Sequence, residues 1–292
     1  MSAPQSGTII AAFGRHYDVA MADGSTRTGY PRGKRSAYAC GDEVTLSDDG
    51  QLLGHSERRS LLHRSDAFRE KLLAANATQL IVVVATEPSF SDELISRALI
   101  AAENQGLRAL IVLNKTDLTD ALPAAYAVLA PFAGLGYPIV ELSAHTSIAP
   151  LQTFLVGQVS ILVGQSGMGK STLTNALVPA AAAATREISA ALDTGKHTTT
   201  CTRLYRLDAA GSALIDSPGL QEFGLAHLGR DEIAAGFIEF QPYIGHCRYR
   251  DCRHQHEPDC AIKSAVAQGK IHPRRLQHFA ALMDQLAARP NY

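Results

Sequence analysis

The chain has 292 residues, 46% hydrophobic and 19% charged, which is apolar sequence enough for one large core or several smaller ones and excludes a disordered or fibrous protein. No apolar run approaches the ~18 residues of a membrane-spanning helix, and residues 1–7 lack the basic and apolar regions of a secretory signal; the expectation is a soluble cytoplasmic chain with no membrane partner. The net charge of -1 conceals an asymmetry, because residues 76–240 carry 9 Lys+Arg against 15 Asp+Glu and residues 241–292 carry 8 against 4, a basic end that suits a polyanionic partner.

Residues 7–13, Tyr17–Met21 and Glu43–Leu46 read as short strands, broken by turn signals at Asp23 and Gly24, by the loop from Arg32 to Arg35, and by Asp48, Asp49 and Gly50. That spacing predicts a small antiparallel barrel. Residues 56–73, with Arg58, Arg59, Arg64, Arg69 and Lys71, read as a charged linker. From Gln79 the pattern changes to apolar strands at 80–85, 108–113, 139–142 and 159–163, alternating with helices at 92–103, 119–132 and 150–156. Such alternation predicts a mostly parallel sheet covered on both faces. The alanine run 180–184 reads as a loop, and residues 231–240 and 273–288 as helices on either side of an irregular Cys/His segment. The expected division is multidomain α/β: a barrel with linker (1–70), a P-loop domain (71–225) and a helical metal-binding unit (226–292).

Residues Gly164, Gln165, Ser166, Gly167, Met168, Gly169, Lys170 and Ser171, followed by Thr172, fit G-x-x-x-x-G-K-[ST] between an apolar strand and a helical segment. In this motif glycines let backbone N–H groups turn toward phosphates, Lys170 reaches the β and γ oxygens, and the Ser171 hydroxyl ligates Mg²⁺. Asn114, Lys115, Thr116 and Asp117 follow the strand at 108–113. A carboxylate at Asp117 accepts the N1–H and 2-amino protons of guanine, whereas adenine offers an acceptor at N1 and no 2-amino group. Asn114 is expected to hold the purine edge and neighbouring loops, Lys115 to lie over the ring, and a backbone N–H at Ser143 and Ala144 to meet the guanine carbonyl oxygen. Asp216, Ser217, Pro218 and Gly219 place a carboxylate near Mg²⁺ and a glycine N–H near the γ-phosphate. Gly195 to Thr200 supplies first-switch hydroxyls at Thr198, Thr199 and Thr200, one of which is expected to complete the Mg²⁺ shell in the triphosphate state, with Thr199 the candidate. Leu220 stands where many GTPases carry the glutamine that orients the attacking water, which predicts slow intrinsic hydrolysis, with His197 the nearest replacement.

The order of these motifs is rotated. The base motif (114) and Ser143 precede the phosphate loop (164), the threonines (198) and Asp216, so the domain is circularly permuted and the chain leaving the second switch runs into the C-terminal unit. There Cys247, Cys252, His254 and Cys260 form C-x₄-C-x-H-x₅-C, the Cys₃His set of a closed structural zinc site; His246 and His256 compete with His254 as the nitrogen ligand. Arg248, Arg250 and Arg253 in the same unit suit phosphate contacts.

Together the barrel-like start, the permuted motifs and the Cys/His spacing resemble, over nearly the whole chain, the bacterial small ribosomal subunit biogenesis GTPases (ribosome small-subunit-dependent GTPase A). The resemblance implies an OB-fold, a permuted GTPase domain and a zinc-binding domain, with GTP hydrolysis stimulated by the small (30S) ribosomal subunit in its late maturation and with rRNA as a ligand. It implies guanine contacts from Asn114 to Asp117, phosphate contacts from Gly164 to Thr172, and zinc at Cys247, Cys252, His254 and Cys260, favouring His254 over its neighbours. Catalysis falls to Lys170, Thr199 and His197, the cofactors are GTP/GDP, Mg²⁺ and one Zn²⁺, and a monomer is expected. One departure is Lys196, where the family usually shows Arg. The alternative is a GTP-binding RNA adaptor with little hydrolysis of its own; a metabolic phosphotransferase is disfavoured by Asp117.

Overall fold

The strand signals near the start become β1 (Gln5–Ala12), β2 (Tyr17–Met21), β3 (Thr26–Gly29), β4 (Glu43–Leu46) and β5 (Leu52–His55) in a computed structural model that describes residues 4–33, 37–66, 69–179, 201–217, 225 and 227–288. β1 pairs with β2 and β4, β2 with β3, and β4 with β5. A parallel bridge between Tyr30 and Gln51 closes the ring in the order 1-2-3-5-4-1, an OB barrel. Ile9, Tyr17, Val19, Val44, Leu46 and Leu52 fill its interior, as the two-residue side-chain period of a strand requires.

Residues 56–73 are not a linker. They hold most of an antiparallel hairpin, β6 (Leu61–Asp66) with β7 (Arg69–Ala75). The charges dominate the composition there, but Leu62, Leu73 and Ala74 are buried in one core with Cys40, Ala77 and Leu80, and that burial orders the segment.

The α/β domain follows as β8 (Gln79–Ala85), α1 (Asp92–Asn104), β9 (Arg108–Asn114), α2 (Leu122–Gly134), β10 (Ile139–Glu141), α3 (Ala149–Leu155), β11 (Val159–Val163), α4 (Lys170–Leu177), β12 (Thr202–Arg206) and β13 (Ala213–Asp216). Spatial order is β10-β9-β8-β11-β13-β12, parallel except for β12. Alternate residues feed opposite faces. Ile81, Val83, Leu110, Val112 and Leu162 pack toward α3 and α4, while Leu80, Val82, Ile111 and Ile161 join the core that contains α1 and α2, so the strands are apolar throughout. β12 also pairs with β1, with Ala11 opposite Arg203, which makes barrel and sheet one hydrogen-bonded surface of 11 strands.

The C-terminal unit contains α5 (Arg230–Ala235), a 3-10 turn (Ile238–Tyr243), α6 (Ala261–Ala267) and α7 (Pro273–Ala287). The single helix expected at 231–240 divides at Gly236, where a Cβ would lie 2.7 Å from the Ile100 side chain; α5 therefore ends where its backbone meets α1. Arg275 of α7 is only 1% exposed. Its guanidinium meets Glu239 at 2.6 and 3.3 Å and Ser96 Oγ at 2.6 Å, and it lies over the rings of Phe237 and Phe132 at 4.5 and 5.4 Å. Among the described residues no helix is long and apolar enough to cross a membrane. Glu239→Ala should lower unfolding free energy by about 3–5 kcal/mol, because it leaves a buried guanidinium without its counter-charge; a denaturant titration followed by circular dichroism measures the loss.

Candidate phosphate-loop and metal sites

Five parallel strands end on one edge of the sheet, and the loops that leave those ends carry the motif residues. Between β11 and α4 the phosphate loop turns through Gly169 at φ 89°, where a Cβ would collide with the Asn114 amide nitrogen. Asn114 closes β9 and is 2% exposed. Its Nδ2 donates to the Met168 carbonyl at 2.9 Å, and its Oδ1 accepts from the Ala144 N–H at 2.9 Å. One buried amide thus clamps the phosphate loop, the base motif and the Ser143-Ala144 turn together. The clamp takes up both polar ends of Asn114 and ties the Ala144 N–H to it.

Lys115 adopts φ 61°, and its amine donates to the Glu87 carbonyl at 2.7 Å. Its own carbonyl accepts from Thr86 Oγ1 at 2.9 Å, and the Thr116 N–H donates to Leu142 O at 3.3 Å. Asp117 is exposed, and the Ser143 hydroxyl beside it holds its carboxyl below the ordinary value. In neutral solution this group is an anion with its oxygens open to a donor edge.

Within the phosphate loop Ser166, Gly167 and Ser171 are exposed and Thr172 is half-buried, whereas the Met168 side chain is part of the core. Lys170 is 7% exposed, its amine held by the Gly164 and Gln165 carbonyls at 2.7 and 2.8 Å. Burial lowers its pKa, opposed by the Asp216 charge. Burial raises the Asp216 pKa, opposed by the Thr174 hydroxyl and Lys170. A poorly hydrated ammonium beside the N-terminus of α4 is an anion site, and the Ser171 hydroxyl with the Asp216 carboxylate supplies the hard oxygen donors that Mg²⁺ prefers. Ser217 Oγ donates to Leu162 O at 3.0 Å, which ties the end of β13 to β11. Lys196, His197, Thr198, Thr199, Thr200, Gly219, Leu220 and the alanine run 180–184 lie outside the described residues.

The second cluster is built on two turns of positive φ, at His254 and Asp259. His254 Nδ1 lies 3.4 Å from Cys247 Sγ, 3.5 Å from Cys252 Sγ and 3.4 Å from Cys260 Sγ, with Cys247 and Cys260 Sγ 3.9 Å apart. A tetrahedral zinc with Zn–S of ~2.3 Å and Zn–N of ~2.0 Å has edges of ~3.5 Å between N and S and ~3.8 Å between sulfurs, so the four groups fit that ion. Burial pushes the Cys252 thiol up to about 12 and raises that of Cys260, which keeps both protonated until a cation replaces the proton. His246 and His256 stand outside the cluster.

The profile of the RsgA GTPase family matches residues 55–226. Over 291 residues the chain is 54% identical to the small ribosomal subunit biogenesis GTPase RsgA of Burkholderia pseudomallei strain 1710b, an alignment that spans 96% of this chain and 91% of that protein. The chain belongs to the RsgA GTPase family. The RsgA of Bordetella pertussis is 51% identical over 302 residues, covering 99% of this chain and all of that one. Among solved structures, YjeQ from Thermotoga maritima superposes with a TM-score of 0.74 at 28% identity, covering 99% of this chain and 100% of its own. YloQ, described as a circularly permuted GTPase, has the same fold at a TM-score of 0.68 and 24% identity, over 99% of this chain and 98% of its own.

Motif reading in an RsgA GTPase misses the loop between β8 and α1. Thr86 and Glu87 hold Lys115, and Ser91 donates to the Gln165 side chain at 2.9 Å. A signal was present, since this loop leaves the carboxyl end of a central parallel strand, where α/β sheets gather ligand-binding groups. For the metal cluster, Cys252→Ala should reduce bound zinc from one equivalent to near zero and lower the melting temperature of the C-terminal unit, checked by elemental analysis and calorimetry.

Proposed function

We propose that this chain binds GTP with Mg²⁺ at the phosphate loop, hydrolyses it to GDP and phosphate, and acts in the maturation of the small ribosomal subunit, which stimulates the turnover. The Asn114 clamp carries this reading: it brings a guanine-type carboxylate and a phosphate loop to one edge of the sheet although they are distant in sequence and reversed in order. In this assignment Asp117 accepts the two guanine donors, and the phosphate-loop amides and Lys170 take the β and γ oxygens, the lysine keeping its contact with the Gln165 carbonyl as it turns a further N–H to the phosphates. Ser171 and Thr199 hold Mg²⁺ with Asp216 close by, and the ion when bound neutralises charge that develops on the phosphate oxygens. Gly219 offers its N–H to the γ-phosphate, and His197 orients the water that Leu220 cannot.

The same reading assigns the barrel (1–70) and the basic C-terminal unit (226–292) to rRNA, through Arg248, Arg250 and Arg253, with the GTPase domain (71–225) between them. Zinc at Cys247, Cys252, His254 and Cys260 is structural. The protein works as a cytoplasmic monomer. The curated relatives named above carry the same role in their names.

The test is GTP turnover with and without purified small subunits, with ATP as the control nucleotide. Subunit-dependent hydrolysis of GTP alone is expected, and Lys170→Ala should reduce it on the order of a hundred-fold. Tight GTP binding without turnover in either condition would overturn the hydrolase assignment. Asp117→Asn should shift preference from GTP toward xanthosine triphosphate, and unchanged selectivity would remove Asp117 from the base site. His197→Ala should lower stimulated turnover more than GTP affinity; equal losses would make His197 a folding residue of its loop.

A further inference from the structure

The C-terminal unit grips one helix of the α/β domain, α1, along its whole length. At the first turn Asp92 accepts from Arg274 Nε at 2.7 Å and Nη2 at 3.0 Å, and faces His278 Nε2 at 3.2 Å. One turn further, Ser96 Oγ meets Arg275 Nη1 at 2.6 Å and His278 Nδ1 at 2.8 Å, and Arg97 donates to Gln285. At the far end Asn104 Nδ2 donates to Glu232 O at 3.1 Å.

The start of the same helix is tied to the phosphate loop. Ser91 caps α1 by accepting the Leu94 N–H at 3.3 Å, and its own N–H donates to Gln165 Oε1 at 2.9 Å. Gln165 also presents its carbonyl to the Lys170 amine at 2.8 Å. One residue therefore touches the cap of α1 with its side chain and the phosphate-contacting lysine with its backbone, and the residue after the cap is Asp92, which holds Arg274 and His278.

We propose that Gln165, Ser91 and Asp92 form the link by which a load on the C-terminal unit reaches the phosphate loop, with Gln165 a positioning residue for Lys170. The inference rests on the GTPase reading above and deepens it by naming the route of subunit stimulation. α1 is a hydrogen-bonded helix of 13 residues, about 20 Å long, docked through polar and apolar contacts along one side. A partner that displaces the C-terminal unit displaces the cap with it, and Gln165 must follow or lose its donor. Because coupling between sites is reciprocal, nucleotide at the loop alters the grip on the partner through the same contacts. This route is distinct from the direct chain connection through residues 217–229.

The experiment compares the full-length protein with Asp92→Asn, Arg274→Gln, Gln165→Ala and the Asp92/Gln165 double variant, measuring GTP turnover alone and with saturating small subunits. Asp92→Asn and Arg274→Gln should leave unstimulated turnover within about two-fold and reduce stimulated turnover roughly ten-fold. Gln165→Ala should lose stimulation to a similar extent, and the double variant should lose no more than the stronger single one, since both changes cut one link. Asp92→Glu, which keeps the charge, should recover part of the stimulation. Full stimulation in Asp92→Asn and Arg274→Gln, or losses that multiply in the double variant, would overturn the link while leaving the GTPase assignment standing. Absence of stimulation in the unaltered chain would instead overturn the reading of the site, and the link with it.

Discussion

The pairing of β8 with β11 is the constraint on which the rest of the molecule depends. Gln79 lies opposite Ser160, 81 residues away in sequence, and the two buried side chains bond at 3.0 Å, with Gln79 also donating to Phe154 O. Strands apolar on both faces specify their register weakly through burial, because a slip exchanges one apolar residue for another. A buried polar pair with one satisfied arrangement fixes what packing leaves open. With the register set, the carboxyl ends of β8, β9 and β11 come level, and the Asn114 amide can reach both Met168 and Ala144.

Permutation changes what the domain can do with its edges while preserving that geometry. The sheet needs its strands side by side and is indifferent to the order in which the chain visits them. The chain enters through the barrel and leaves through the C-terminal unit, and each is fastened by a different kind of contact. β1 adds to β12 as a further strand, so the barrel is attached by backbone hydrogen bonds. The C-terminal unit is attached by side chains that meet α1, among them Arg275 of α7, whose guanidinium is buried against Ser96. A guanidinium in that position is tolerable only with its hydrogen bonds satisfied, and Glu239, Ser96 and two aromatic faces satisfy it in one orientation.

The metal cluster and this docking surface share a core. Cys252 and Cys260 pack with Phe237, Phe240, Ile262 and Phe279, and Phe279 stands edge-on to both other rings. A unit with so few aromatic anchors has little apolar surface of its own to bury, so four ligands closed on one ion would contribute a large share of its folding free energy. Order at the cluster is consequently order at the face that holds α1.

The sequence alone determined the motifs and their permuted order along the chain. Gly164 to Thr172, Asn114 to Asp117, Asp216 and the Cys247 to Cys260 set stand out as motifs because each needs particular residue types at fixed local spacings, and the barrel and the parallel sheet were legible from the spacing of turn signals and the alternation of apolar strands with helices. The hairpin in residues 56–73 was not, because its charges outnumber the few leucines that decide its burial, nor was the break at Gly236, which is set by the approach of α1. Only the tertiary structure decided that Asn114 would spend both polar ends on neighbouring loops, that Gln165 would join α1 to Lys170, and that β1 would extend the GTPase sheet. Those contacts lie between residues far apart in sequence, where no local spacing records them, and they exist only once strand register and helix docking have brought the partners within hydrogen-bonding distance.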